Sequence, residues 1–379
     1  MRFEFATAGR IVFGAGVVRE ASKAAAGYGR RALLVTGAHP ERAAKLVSGI
    51  EAVPFAVNGE PTVDLIRHGA TVAREERCDV VIAIGGGSAI DAGKTIAALA
   101  TNPGDALEYL EVIGQGKPLE RDPAPFIAVP TTAGTGSEVT RNAVLGSLEH
   151  RVKVSLRSAR MLPRMAVIDP ELARGLPPAV TAYTGLDALT QLIEPYVSVR
   201  ANAMTDLFCV EGMQTAVWAL PRAFQQGSDL EARTGMAWAA LLGGLALANA
   251  GLGAVHGFAA PVGGMFPAPH GAICAALLPH AMAVNIAALH SQDGKGQALQ
   301  RYKRVASLLT GAPHATPEDG VRWVADLCRK LEIPPLGRYG VREVDIPALV
   351  GKAARANSMK GNPIALNETE LAEIVTCAL

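Results

Sequence analysis

Charge is scarce and balanced in this sequence: 36 Lys and Arg stand against 35 Asp and Glu, and only 19% of its 379 residues are charged. A nucleic-acid binder normally carries a basic excess, so the balance argues against one. Cysteine is sparse too. Cys78, Cys209, Cys274, Cys328 and Cys377 are scattered, odd in number and without any C-x-x-C spacing. That argues against a disulfide framework or a zinc ribbon and fits a reducing compartment. No apolar signal-type run follows Met1-Arg2-Phe3-Glu4-Phe5, which predicts a cytoplasmic protein. The sequence has no internal repeat and no low-complexity segment.

Apolar residues, by contrast, make up 49% of the chain, accompanied by 40 Gly and 24 Pro without a Gly-X-Y period. Such a chain is globular and rich in tight turns. At roughly 100–200 residues per domain, its length predicts two domains. The most membrane-like stretch, residues 236–266, contains no Asp, Glu, Lys or Arg. Asn249, Gly251, Gly253, His256 and Pro261 interrupt it, which predicts a buried helical hairpin rather than a membrane span.

The first half alternates short β-rich runs with helical stretches. Residues 31–36, 53–57, 79–84, 126–129 and 165–168 read as strands, and 41–50, 62–77 and 89–100 as helices. Within the run 79–84, residues 80–84 are continuously apolar, as befits a parallel strand covered on both faces. This order predicts βαβ units and a doubly wound parallel sheet over residues 1–177. Beyond about residue 175 the β signals vanish. Residues 187–197, 205–220, 231–249, 280–288, 299–309, 317–331 and the last thirty read as helices, with Pro221, Gly251, Pro279, Pro334, Pro335 and Pro363 as breakers. An α/β domain followed by an all-α domain over residues 178–379 is therefore expected. A cleft between two such domains is the default place for a small ligand.

Gly85-Gly86-Gly87-Ser88 follows the third strand and opens a helix. Glycines let the backbone approach a ligand, and the free N–H groups of a helix start attract an anion such as a pyrophosphate. The run is neither G-x-G-x-x-G nor a phosphate loop: Gly93-Lys94-Thr95 fits the latter's end, but its first glycine is one residue out of register. The hydroxyl-rich run from Pro130 to Glu138 follows another strand, where open parallel sheets bind ligands. In the second half, Asp187 and Gln191 stand at i and i+4 on one helix face, with His256 and His270 further on. One Asp and two His in an uncharged region point to a divalent-metal site, because a buried carboxylate needs a partner.

The run 85–94, the run 130–140, the segment 187–198 and the order His256, His270, Leu278-Pro279-His280 resemble the iron-containing (group III) alcohol dehydrogenase family over essentially the whole chain. The resemblance implies a dinucleotide, NAD or NADP, in the N-terminal domain and hydride transfer between an alcohol and an aldehyde or ketone. It implies that Gly86, Gly87 and Ser88 cradle the pyrophosphate, and that Thr131, Thr132, Thr135, Val144 and Lys153 line the rest of the dinucleotide site. Gly37 stands where many NAD-preferring relatives have an Asp, with Arg42 nearby, so NADP is expected to be accepted. The metal ligands implied are Asp187, Gln191, His256 and His270, holding iron or zinc. Family members are often dimers or larger, which implies a homo-oligomer.

The metal motif departs from the family pattern at two positions. Gln191 stands where the pattern has His, and Ala260 where many members have a second His. An amide oxygen binds iron or zinc more weakly than imidazole, so a weakly held, easily lost metal is expected. The family also includes metal-independent reductases resembling maleylacetate reductase. Without a metal, His256 or His270 would have to act as the electrophile toward the substrate oxygen. The fold is shared with dehydroquinate-synthase-like cyclases, which need basic residues for a substrate phosphate; the stretch 236–266 supplies none. A non-catalytic dinucleotide binder would be supported by Gln191 and Ala260 alone.

Overall fold

A computed structural model describes residues 2–37, 39–147, 149–150, 152–292 and 296–379, the side chain of Arg42 excepted. The chain divides into two compact units. One comprises Phe5–Thr132 and Gly136–Gly175, the other Met1–Glu4, Ala133–Thr135 and Leu176–Leu379.

The first unit contains strands β1 (Ile11–Phe13), β2 (Arg31–Thr36), β3 (Glu51–Ala56), β4 (Val80–Gly85), β5 (Phe126–Pro130), β6 (Asn142–Ser147), β7 (Val152–Arg157) and β8 (Met165–Ile168). Its helices are α1 (Arg19–Tyr28), α2 (Pro40–Ala44), α3 (Val63–Glu75), α4 (Gly87–Thr101) and α5 (Ala106–Tyr109). Six strands form a parallel sheet in the order β1-β8-β5-β4-β2-β3. Along β2 and β4, Leu33, Val35, Val81 and Ala83 pack on one face with Ile66, Ile90 and Ile96 of α3 and α4. Ala32, Leu34, Val80, Ile82 and Ile84 pack on the other with Ala21 and Ala25 of α1. The doubly wound sheet expected from the sequence is thus present. After β3 the chain crosses back over β2 to place β4 beside it, so the topological switch lies between β2 and β4. The carboxyl ends of strands at such a switch form a ligand crevice.

Three local features of this unit differ from the sequence expectation. The helix expected over 41–50 stops at Ala44, because the following chain bonds to α1 instead: Ser22 Oγ donates to Leu46 O (3.3 Å) and accepts from Ser48 N (3.1 Å). The short strand β1 was not expected. Nor was the antiparallel β6–β7 hairpin, which buries Ala143, Leu145, Val154 and Leu156 from alternate positions in the core beneath α4.

Lys94 ties that hairpin segment to α4. It is fully buried, and its Nζ donates to Ser137 O (2.8 Å), Ser137 Oγ (3.0 Å), Thr140 Oγ1 (3.1 Å) and Asn142 O (2.7 Å). Burial pushes its pKa down to about 8, against the pull of Asp91 and Glu138. Its bonds are spent inside the unit, not on a phosphate. Lys94→Met is expected to cost about 3–5 kcal/mol, because it strands Asp91 and the carbonyls of Ser137 and Asn142. A urea-unfolding midpoint equal to the parent's would show that the tie contributes nothing.

The second unit contains α6 (Pro178–Val197), α7 (Ala203–Gln225), α8 (Leu230–Ala250), α9 (Ala254–Met265), α10 (His270–Gln292), α11 (Gln297–Thr310), α12 (Pro317–Lys330), α13 (Ile346–Ala353) and α14 (Glu368–Cys377). Helix α6 is buried continuously from Gly185 to Val197 and packs with α7, α8 and α10. It begins nine residues before the expected start at 187, since Pro178 sits in its first turn, where a missing N–H costs nothing. Pro221 and Pro279 do not end their helices as expected. Burial of Leu277, Leu278 and Ala281 around Pro279 outweighs the ~3 kcal/mol that an interior proline costs. Helix α10 therefore starts at His270, ten residues before the expected 280. The last thirty residues form only α14, the end of α13 and a short 3₁₀ turn, Asn357–Gly361, rather than one helical stretch.

The uncharged stretch forms α8 and α9, bent by 99° at a break containing Gly251, whose φ of +73° suits glycine. By length and apolarity α10 could cross a membrane, but 78% of its apolar window is buried within the unit, as in a core helix.

Candidate active site

Two groups of residues carry the chemistry expected from the sequence, one in each unit. In the first unit, Gly37 follows β2 and Gly86 follows β4, on either side of the topological switch. The two strand ends meet closely: a Cβ on Gly85 would lie 3.3 Å from Gly37 N and 2.6 Å from Ala89 Cβ. Gly85 is therefore required for packing. Gly37 and Gly86 are different. A Cβ on Gly37 would meet nothing within 4 Å, and one on Gly86 only Thr132 at 3.5 Å. Their missing side chains leave room over the backbone. Helix α4 starts from Gly86 with no side-chain cap; Ala89 N and Ile90 N donate back to Gly86 O, which leaves the N–H groups of Gly87 and Ser88 without an intrahelical acceptor. Thr131 N donates to Gly85 O (2.9 Å), which sets Thr131 and Thr132 beside the glycine loop. The donor-rich, uncapped helix start and the open glycines fit a dinucleotide's pyrophosphate.

The remaining residues named for this site are placed less closely. Val144 N donates to Asp91 Oδ2 (2.9 Å), holding β6 against α4. The side chain of Lys153, on β7, is largely covered and pairs with Glu60 at 3.0 Å. Thr135 belongs with the second unit. The Arg42 side chain and Ala38 lie outside the described residues.

In the second unit, α6, α9 and α10 converge on a cluster in which Asp187, His256 and Cys274 are buried and His270 is partly exposed. Asp187 Oδ1 lies 3.4 Å from His256 Nε2 and 3.6 Å from His270 Nε2. Cys274, one turn after His270, brings its Sγ to 3.7 Å from His270 Nε2 and 3.9 Å from His256 Nε2. One donor atom from each of the four lies within 4.8 Å of the others. Glu194, two turns after Asp187 on α6, orients His256. Its Oε2 sits 2.6 Å from His256 Nδ1, and its Oε1 accepts from Val255 N (2.7 Å). A carboxylate only accepts, so Nδ1 carries the proton and Nε2 faces the cluster. A Cβ on Gly253 would lie 3.0 Å from Glu194 Oε1 and 2.9 Å from Asn362 Oδ1, so this approach needs glycine.

The electrostatics of the cluster favour a cation. Burial alone would raise the Asp187 carboxyl, but His270 and His256 hold it below its ordinary value. Burial alone would lower both imidazoles. Cys274, Glu194 and Asp187 instead raise His256 well above the ordinary value, and Cys274 and Asp187 raise His270 to about 9. A divalent ion competes for such protons and displaces them on binding. Asp187 Oδ1 and Gln191 Oε1 are buried and have no hydrogen-bond partner among the described residues. Buried oxygens without a hydrogen bond are costly, and a metal would satisfy them. The donor set fits a divalent ion.

Sequence reasoning missed Cys274 and Glu194. Each lay at a helical interval from a residue it did identify, Cys274 at i+4 from His270 and Glu194 at i+7 from Asp187. Ala260 lies one turn after His256 on α9 and is half-buried.

Comparison with known proteins matches residues 8–170 to the iron-containing alcohol dehydrogenase model and residues 181–379 to the Fe-containing alcohol dehydrogenase family C-terminal model. The chain is 38% identical over 334 residues to 1,3-propanediol dehydrogenase of Klebsiella pneumoniae, covering 86% of this chain and 83% of that one. It is 33% identical over 384 residues to NAD-dependent methanol dehydrogenase of Bacillus methanolicus, with 97% of each covered. The crystal structure of a 1,3-propanediol oxidoreductase superposes with a TM-score of 0.90 at 34% identity, covering all of both chains. The chain belongs to the iron-containing alcohol dehydrogenase family.

Proposed function

We propose that this chain is an NAD(P)-dependent alcohol dehydrogenase that interconverts a small alcohol and its aldehyde with the help of a divalent metal. The observation that carries this reading is the Asp187, His256 and His270 cluster, whose buried Asp187 Oδ1 has no hydrogen-bond partner among the described residues. A metal-independent reductase has no need of that charge. The relatives named for propanediol and methanol support a short alcohol, as do the few polar groups of α8 and α9.

When bound, the dinucleotide supplies the hydride acceptor or donor, and the metal an electrophile for the substrate oxygen. The chain's own residues position both. Gly86, Gly87 and Ser88 at the start of α4 hold the pyrophosphate, while Gly37, Thr131, Thr132, Thr135, Val144 and Lys153 are the proposed remainder of that site. Asp187, His256 and His270 are the strong metal donors, and Gln191 offers a neutral oxygen. Glu194 fixes the His256 tautomer that presents Nε2. Cytoplasmic residence and a homo-oligomeric state belong to the same proposal.

Purified protein incubated with NAD or NADP and a panel of short primary alcohols is expected to form reduced nicotinamide, and to lose that activity on dialysis against a chelator. Turnover that survives complete metal removal would favour the metal-independent alternative.

Cofactor choice is expected to turn on Gly37. With no carboxylate there to repel a 2′-phosphate, the parent is expected to use NADP at least as well as NAD. Gly37→Asp, built into space that holds no other atom within 4 Å of its Cβ, is expected to shift kcat/KM toward NAD by about 10-fold or more. A parent with strong NAD preference would contradict the assignment of Gly37.

A further inference from the structure

We infer that Cys274 is a thiolate ligand of the proposed metal site, giving a donor set of one carboxylate oxygen, two imidazole nitrogens and one sulfur that prefers zinc or cobalt to iron and takes the substrate oxygen as a fifth ligand. The inference rests on the metal reading above and extends it to a residue which that reading did not include. Its first support is geometric. A tetrahedral zinc with nitrogen, oxygen and sulfur ligands has donor-to-donor edges of about 3.3 Å between light atoms and about 3.6 Å from nitrogen to sulfur. The cluster already shows 3.4 and 3.6 Å from Asp187 Oδ1 to the two imidazoles. From Cys274 Sγ the corresponding separations are 3.7 and 3.9 Å. Four of the six donor-to-donor separations are thus near those of one coordination tetrahedron, and all four donors, from three helices, lie within 4.8 Å of one another before any ion is added.

The second support is Asp187 Oδ1, which is buried, has no hydrogen-bond partner among the described residues and lies within 3.6 Å of both imidazole Nε2 atoms. The third is the fixing of His256 by Glu194, which turns Nε2 toward Cys274 rather than away from it. Cys274 is itself fully buried on α10, held at i+4 from His270 by the helix, so neither ligand needs to move far. On binding, the S–H bond breaks, its electron pair goes to the metal and the proton leaves to solvent; nothing is oxidised or reduced. Thiolate is a soft donor, hence the preference for zinc. With sulfur in the shell, the weak amide oxygen of Gln191 is not needed to complete it.

The test is cobalt substitution of the full-length protein under anaerobic conditions. The wild type is expected to bind one Co(II) and to show the strong near-ultraviolet sulfur-to-cobalt charge-transfer band. Cys274→Ser is expected to lose the band and to bind zinc about 10–100-fold more weakly, narrowing the zinc-over-iron preference. Cys209→Ser, at the buried thiol of α7, is expected to keep the band. Binding of Co(II) by the wild type without the band, or a band that persists in Cys274→Ser, would overturn thiolate ligation and leave the Asp187, His256, His270 site standing. Failure of the wild type to bind Co(II) at all would remove the metal reading itself, and this inference with it. The wild-type spectrum decides even if Cys274→Ser fails to fold.

Discussion

Ser88→Glu is expected to weaken dinucleotide binding by about 100-fold or more while the protein remains folded. Ser88 is half-buried in the first turn of α4, which has no side-chain cap. A phosphate drawn to such a helix start gains up to ~2 kcal/mol from the dipole. A carboxylate placed there takes the phosphate's position and also repels it, by about 4 kcal/mol at 4 Å under an effective dielectric of 20. A net loss of ~3 kcal/mol is already about a 100-fold loss in affinity. Gly86→Val tests the same loop by shape. The backbone there has a φ of −73°, and a Cβ would meet only Thr132 at 3.5 Å, so the fold has room for a side chain. The added methyls would occupy the space where the phosphate approaches the backbone. Fluorescence titration with reduced cofactor measures both variants. Parental affinity in either would remove the glycine loop from the cofactor site.

The second large effect is expected from Asp187→Asn. The amide keeps the size of the side chain and removes the one carboxylate that, among the described residues, faces both imidazoles. Loss of an outer-shell partner alone typically costs about 10–100-fold in metal affinity, so loss of the charged ligand is expected to cost at least ~100-fold. Elemental analysis after dialysis is expected to show little retained metal, with alcohol oxidation falling in parallel. Dinucleotide affinity is expected to stay at the parental value, because the glycine loop belongs to the other unit. Full metal retention in Asp187→Asn would show that this carboxylate is not a ligand.

How far the sequence disclosed these features depended on the range of the interaction that decides each one. The run from Val80 to Ile84 is apolar at every position because α1, on one face, and α3 and α4, on the other, cover it, and such a run is visible without any partner. The β6–β7 hairpin was hidden because only alternate residues are buried, over just six positions per strand. Helix starts were misread where proline carried two meanings. Pro178 begins α6 and Pro279 lies inside α10, and only the surrounding packing distinguishes a start from a break.

The candidate site shows the same division. Asp187, His256 and His270 stood out as polar residues in uncharged surroundings, and Gly86 and Ser88 as a loop after a strand. Cys274 did not stand out, because a single cysteine in an apolar helix looks like packing. Its role becomes visible only when α10 begins at His270 and brings both residues to α6 and α9. Glu194 was hidden for a related reason: its partner, His256, is 62 residues away and meets it only in the fold.

Direct hydride transfer between an alcohol carbon and the nicotinamide is tested with a primary alcohol deuterated at its hydroxyl-bearing carbon, incubated with the metal-loaded enzyme and oxidised cofactor. Deuterium is expected on the nicotinamide ring of the recovered cofactor, in step with the aldehyde formed, and in much smaller amount with the Asp187→Asn enzyme. Recovered cofactor without deuterium, in the presence of tightly bound dinucleotide and metal, would contradict the account.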